Sequence, residues 1–349
     1  MHLISKKKVP FPISDRLRKY LRQYGRDVKI DLKYKDLLNY ENFITLYDRD
    51  GKDSLWITVI YNHSEVDSIN DQLKHVYAIL KSGGDVSVIE HLFIERIDFC
   101  LYANTGPFRI RVVNRLNDNF DYFYVKKVDA SRIYGLELEH LLSPNHISYF
   151  VNADTLIEEH IIGIPADQFL QNYSSSQDFE ETRLAKEFVK FNERCFVRLL
   201  GDMHSSNFVI DVTPDFETTH YRMRSIDFDQ QSFEKRKSVY LPQFFIQNKP
   251  FVELVQKHLT LQSIQQYQRE ERSMILNRLR NARYQVKDIV DTMCQDTISF
   301  PANEQQLKEE LAKHYSNPLF LECNNMGEIL KTSLRTLIKG VVPSTLKKK

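Results

Sequence analysis

Glycine is scarce in this sequence: ten in 349 residues, at positions 25, 51, 83, 84, 106, 135, 163, 201, 327 and 340. Nowhere do they cluster as a G-x-G-x-x-G or G-x-x-x-x-G-K-[ST] phosphate loop, which excludes Rossmann dinucleotide binders and P-loop enzymes. Cysteine is scarcer still. Cys100, Cys195, Cys294 and Cys323 lie far apart and form no C-x-x-C pair, so neither a zinc site nor a dense disulfide framework is expected. No apolar run approaches the roughly 18 residues that a membrane helix needs. Met1-His2-Leu3-Ile4-Ser5-Lys6-Lys7-Lys8 has no apolar core after its charges, so it does not read as a signal peptide. An excess of one charge is also missing, with 48 Lys+Arg against 47 Asp+Glu. That balance offers no electrostatic case for nucleic acid. The runs Lys6-Lys7-Lys8 and Lys347-Lys348-Lys349 are expected as solvated tails. These absences together predict a cytoplasmic protein with no membrane and no nucleic-acid partner.

What is present is ordinary for a soluble chain with a real core: 42% hydrophobic and 27% charged residues. The length suggests about two domains or one two-lobed unit. Residues 1–85 read as a separate module. Two β-rich runs, Asn42–Tyr47 and Leu55–Tyr61, flank the turn Asp48–Asp53, and a helix from Ser64 to Lys81 stops at Gly83-Gly84. That turn is not a calcium loop, because its glycine comes too early and Val59 stands where the last carboxylate would be. A β-meander follows, over 97–102, 108–113 and 121–128, then a helix over 130–142 and strands at 147–152 and 155–162. Beyond 175 the pattern is helical, with long stretches at 249–295, 303–315 and 325–338. The exception is a strand-rich island from Cys195 to Phe228.

That island holds the chemistry. A strand through Phe196–Leu199 is expected to deliver Asp202 into a loop, with Asn207 five residues on and another strand directly after. About twenty residues later, Ile226-Asp227-Phe228-Asp229 ends a further strand with a second acid. Phosphoryl transfer asks for such a set: a carboxylate to orient or deprotonate a hydroxyl, and hard amide and carboxylate oxygens for magnesium. Asp and Asn are common turn and cap residues, so the argument rests on the joint pattern. Asp202 with His204 lacks a third ligand at a spacing that would make a transition-metal site.

The segment Leu200-Gly201-Asp202-Met203-His204-Ser205-Ser206-Asn207, with Ile226-Asp227-Phe228, resembles the protein-kinase-like superfamily. The match is to its aminoglycoside and choline phosphotransferase branch, which writes these motifs H-G-D-x-H-x-x-N and I-D-F/W. The resemblance implies Asp202 as catalytic base, Asn207 and Asp227 as magnesium ligands, Asp229 as a further aid, and ATP as cofactor. Leu200 departs from the usual histidine. The implied fold is α+β and two-lobed: a small antiparallel sheet with one helix (86–163), a mainly helical lobe (164–349), and the N-terminal α/β extension (1–85).

A kinase-like first lobe needs a third-strand lysine paired with a helix glutamate. Lys126 and Lys127 both lie on that strand, and alternation allows only one to face a cleft. Register favours Lys126, whereas Lys127 shares its face with the small Val125. Glu137 and Glu139 point in different directions on the next helix, and Glu139, deeper in, is the preferred partner. Backbone groups around Glu159–Ile161 are placed as the adenine hinge. Between the first two meander strands stands Asn104-Thr105-Gly106-Pro107, with one glycine where protein kinases carry three. No arginine precedes Asp202 and no A-P-E follows Asp227. The expected acceptor is therefore a small molecule, with a protein acceptor, nucleotidyl transfer and a non-catalytic scaffold as the alternatives.

Overall fold

The computed structural model describes residues 8–48, 50–103, 105–173, 179–215 and 218–341. The chain divides into two compact units, one of residues up to Ala130 with Ile147–His160, the other of Ser131–His146 with Ile161 onward.

The first unit is built on an antiparallel sheet. Its elements are α1 (Asp15–Gln23), β1 (Asn42–Tyr47), β2 (Asp53–Ile60), α2 (His63–Ser82), β3 (Leu92–Cys100), β4 (Phe108–Asn114) and β5 (Phe120–Lys127), then β6 (Tyr149–Asn152) and β7 (Thr155–Glu159) after the helix α3 (Ala130–Leu142). Among the described residues the strand order is β1-β2-β3-β4-β5-β7-β6. Asn62 caps the start of α2 through Ser64 N–H, and Gly83, at φ 62°, ends it in the left-handed conformation that glycine adopts without penalty.

The expected boundary near 85 is not a structural one. Strand β2 pairs directly with β3 through Trp56↔Cys100, Ile57↔Phe99 and Thr58↔Asp98. Ile69, Leu73 and Val76 of α2 share one buried core with Ile94, Ile110, Phe123 and Ile157. The reason is simple. A lone hairpin buries too little to be stable, so its apolar face is completed by the neighbouring strands. Lys8 also departs from expectation: instead of a solvated tail it is buried, with Nζ 2.8 Å from the Asp129 carboxylate. Lys6, Lys7 and Lys347–Lys349 lie outside the described residues.

The second unit holds α3 apart from its first residue, β8 (Ile164–Pro165), α4 (Ala166–Tyr173), α5 (Glu181–Arg198), β9 (Phe208–Pro214), β10 (Thr219–Ser225), α6 (Lys249–His258), α7 (Leu261–Asn281), α8 (Arg283–Met293), α9 (Pro301–Tyr315) and α10 (Met326–Val341). Strands β8, β9 and β10 form a small antiparallel sheet in the order β10-β9-β8. The strand expected through Phe196–Leu199 is instead the last turn of α5. Leu184, Phe188, Phe191 and Cys195 bury one face at helical spacing, and a short apolar run read alone does not separate strand from buried helix. Leu199, at φ 54°, stops the helix without a glycine.

Helix α10 begins hard against the end of α8. A Cβ at Gly327 would overlap backbone atoms of Met293 and Cys294, which cannot swing aside as a side chain would. Gly327→Ala is expected to destabilise the protein by about 2 kcal/mol or more, read as a lower urea midpoint. An unchanged midpoint would show that the two helices separate freely here.

Candidate functional site

The segment after α5 is fixed mostly by its own backbone. Leu200 bridges to Gln231, and Gly201 N–H donates to Gln230 O at 3.2 Å. Leu200 is fully buried, so where the resembled family places a histidine this loop is braced by main-chain pairing. Asp202 sits at φ 62°, a region where Asp and Asn are among the best-tolerated non-glycine residues. Its N–H donates to Val239 O at 3.0 Å, while its carbonyl accepts His204 N–H at 2.9 Å and Asn207 Nδ2 at 2.8 Å. Asn207 O in turn accepts Ile226 N–H at 3.0 Å, tying the start of β9 to the residue before Asp227. Asp202, Asn207 and the Asp227 segment therefore form one hydrogen-bonded assembly inside the second unit.

Burial pushes the Asp202 carboxyl up to about 7, with Asp227, Glu234 and Asp229 adding like-charge repulsion. A carboxyl held there is poised to exchange a proton near neutrality, as a general base requires. Burial lowers the His204 pKa, against the pull of Asp227 and Asp167. That favours a neutral ring, whose Nδ1 accepts Ser206 N–H at 3.4 Å.

Sequence reasoning missed Arg132. Its guanidinium, buried at the start of α3, donates to Asp227 Oδ1 at 2.8 Å, Asp229 Oδ1 at 2.9 Å and Ile226 O at 3.3 Å. No local pattern marks it, because its partners lie nearly a hundred positions away. Gly135, one turn further along α3, lets the helix close on the same segment: a Cβ there would stand 2.9 Å from Phe228 Cβ.

The oxygens left available suit a hard cation. Asn207 gives its Nδ2 to Asp202 O, which leaves Oδ1 as the acceptor, and Asp227 commits Oδ1 to Arg132 and to Asp229 N–H, leaving Oδ2. One amide and one carboxylate oxygen match the sparse protein ligation of magnesium, which keeps water and substrate phosphates in its shell. Among the described residues no three His, Cys, Asp or Glu side chains are grouped to hold a metal unaided.

The other expected residues fall as follows. Lys126, in the first unit, is buried, with Nζ 2.6 Å from Glu158 Oε2 on the neighbouring β7, whereas Lys127 is exposed and donates its N–H to Thr105 O at 3.2 Å. Gly106, at φ 51°, leaves its carbonyl to Tyr34 Oη at 2.9 Å; Asn104 lies outside the described residues. Glu159 uses its carboxylate on Ser148 N–H at 2.7 Å and Lys81 Nζ at 3.2 Å, and its own N–H pairs with Ser148 O. Ile161 is buried as the second unit resumes.

Glu139 corrects the expected lysine pairing. It is fully enclosed in the second unit, where Arg198, Ser143 Oγ (2.6 Å) and Asn145 Nδ2 (2.9 Å) take its two oxygens. Two positions earlier, Glu137 accepts from Gln285 Nε2 at 2.7 Å.

No family model and no curated protein matches the sequence. Among solved structures the chain is similar to titin kinase with its flanking domains, at 12% identity and TM-score 0.27 over 70% of this chain and 54% of that one. It is also similar to the autoinhibited serine kinase domain of the giant muscle protein titin, at 13% identity and TM-score 0.27 over 72% and 88% of the two chains. The chain thus spans about half the length of the first of these. Likeness at this level carries no inference about activity.

Proposed function

We propose that this chain is an ATP- and magnesium-dependent phosphotransferase of protein-kinase-like fold, acting on a hydroxyl of a small molecule. The observation that carries the proposal is the assembly of Asp202, Asn207 and Asp227, with the Asp202 carboxyl raised toward neutrality. In this reading Asp202 orients the acceptor hydroxyl and receives its proton. Asn207 Oδ1 and Asp227 Oδ2 would hold magnesium, which when bound supplies charge neutralisation on the phosphates. Arg132 bridges Asp227 and Asp229 through one guanidinium nitrogen, offsetting their like charge and fixing their orientation. Lys126, held by Glu158 within the first unit, is the residue that the kinase resemblance assigns to nucleotide phosphates. The absence of an arginine directly before Asp202 and of an A-P-E motif after Asp227 favours a small acceptor over a protein.

Calorimetry with ATP, with and without magnesium, tests the proposal. Asp227→Asn keeps an acceptor for Arg132 but loses the ligand charge, and it should weaken magnesium-dependent ATP binding at least tenfold. Absence of magnesium-dependent binding to the unaltered protein sinks the reading. Mass spectrometry of products from an acceptor panel then separates phosphoryl from nucleotidyl transfer.

A non-catalytic nucleotide-binding scaffold is the second reading. One feature favours it: Arg132 already neutralises the two acids that would otherwise call for a cation. Nucleotide binding with no turnover on any acceptor, and no ATP hydrolysis, selects it.

A further inference from the structure

On the second unit, away from Asp202, Asn207 and Asp227, a cavity of about 670 Å³ opens between α5, β10 and α7. Its size falls in the range of small-molecule sites. Two buried polar atoms among its lining side chains have no hydrogen-bond partner: Arg278 Nη1 and Glu271 Oε1. Glu271 is 4% exposed, and its other oxygen faces Arg194 at 3.3 Å. A guanidinium N–H and a carboxylate oxygen both left unsatisfied are costly to bury, and one ligand presenting an acceptor and a donor would satisfy both.

The rim adds charge. Lys190 is paired with Glu270, and Arg194 with Glu187 and Glu271, but the guanidinium groups of Arg222 and Arg269 have no ion-pair or hydrogen-bond partner among the described residues. Arg278 likewise makes no ion pair among the described residues; burial and the neighbouring Arg194 and Arg198 disfavour its charge, while Glu271 and Glu139 pull the other way from a distance. Three uncommitted guanidinium groups therefore line one cavity. Guanidinium geometry suits the planar or forked oxygens of phosphate and carboxylate.

We infer that this cavity binds a small phosphorylated polyol, with Arg278 and the rim residues Arg222 and Arg269 taking the phosphate and Glu271 accepting from a ligand hydroxyl. The site stands independently of the phosphotransferase reading, since none of the residues given a role there lines it.

Calorimetric titration of the full chain with ribose 5-phosphate, and with ribose as the uncharged control, provides the test. Ribose 5-phosphate should bind and ribose should not. The affinity should fall at least tenfold in Arg278→Gln and in the double variant Arg222→Gln/Arg269→Gln, and it should persist in Lys126→Met. The rim pair is exposed, so that variant stays informative even if Arg278→Gln fails to fold. The rim variant should also flatten the salt dependence of binding. No binding at millimolar ribose 5-phosphate overturns the inference. So does binding that is lost in Lys126→Met but unchanged in the arginine variants, because the phosphate would then occupy the other unit.

Discussion

On the proposed phosphotransferase reading Asp202→Asn abolishes turnover, and at pH 8 in the absence of metal and nucleotide it is expected to raise the melting temperature by several degrees. The two effects share one cause. Burial and three neighbouring carboxylates hold the folded Asp202 at about 7, against an ordinary value of 3.8. The folded protein therefore binds this proton more tightly than the unfolded chain does. Its contribution to stability is fully present below the ordinary value and is lost as pH rises through about 7. When fully expressed, that gap is worth on the order of 4 kcal/mol. A carboxamide has no charge to desolvate, and Asn tolerates the φ of 62° as well as Asp does. The difference in melting temperature should therefore be clearly smaller at pH 5 than at pH 7 and level off by pH 8, measured in chelator by differential scanning calorimetry. Equal stability across that range would show that the carboxyl is not strained by its surroundings.

The elements legible in the sequence were those with strong local signals. The hairpin β1–β2 is announced by its turn, α2 by its cap and double glycine, and α3 matches its expected bounds, 130–142. The pattern around Asp202, Asn207 and Asp227 was legible because short spacings constrain a loop, and the structure does bring those residues into one hydrogen-bonded assembly. What escaped depends on partners distant in the chain. Arg132 reveals itself only beside Asp227 and Asp229, and Lys8 only beside Asp129. The false boundary at 85 has the same origin, since nothing local says that β2 will pair with β3. Leu199 misled for a different reason: a helix that ends on a left-handed leucine lacks the glycine that normally marks the stop.

Glu139→Ala should destabilise the second unit by about 3–5 kcal/mol, because it strands a buried arginine without its counter-charge. Arg198 is 1% exposed, and its carbonyl accepts Gln231 Nε2 at 2.6 Å just ahead of the Asp202 loop. Burial pulls the Glu139 carboxyl upward, but Arg198, Ser143 and Asn145 together hold it below the usual range. This acid works in the opposite sense to Asp202. A depressed carboxyl contributes stability above its ordinary value, and that contribution is lost as pH falls through the folded one. The alanine variant should therefore unfold at lower urea than the native protein at pH 7, with the gap narrowing in acid. A double replacement, Glu139→Leu with Arg198→Met, removes both charges at once and should recover most of the loss. A nucleotide-contacting Glu139 would give another result: weaker ATP binding at an unchanged urea midpoint. The midpoint of Glu139→Ala thus decides whether this glutamate is part of the framework under the Asp202 loop or part of a nucleotide site.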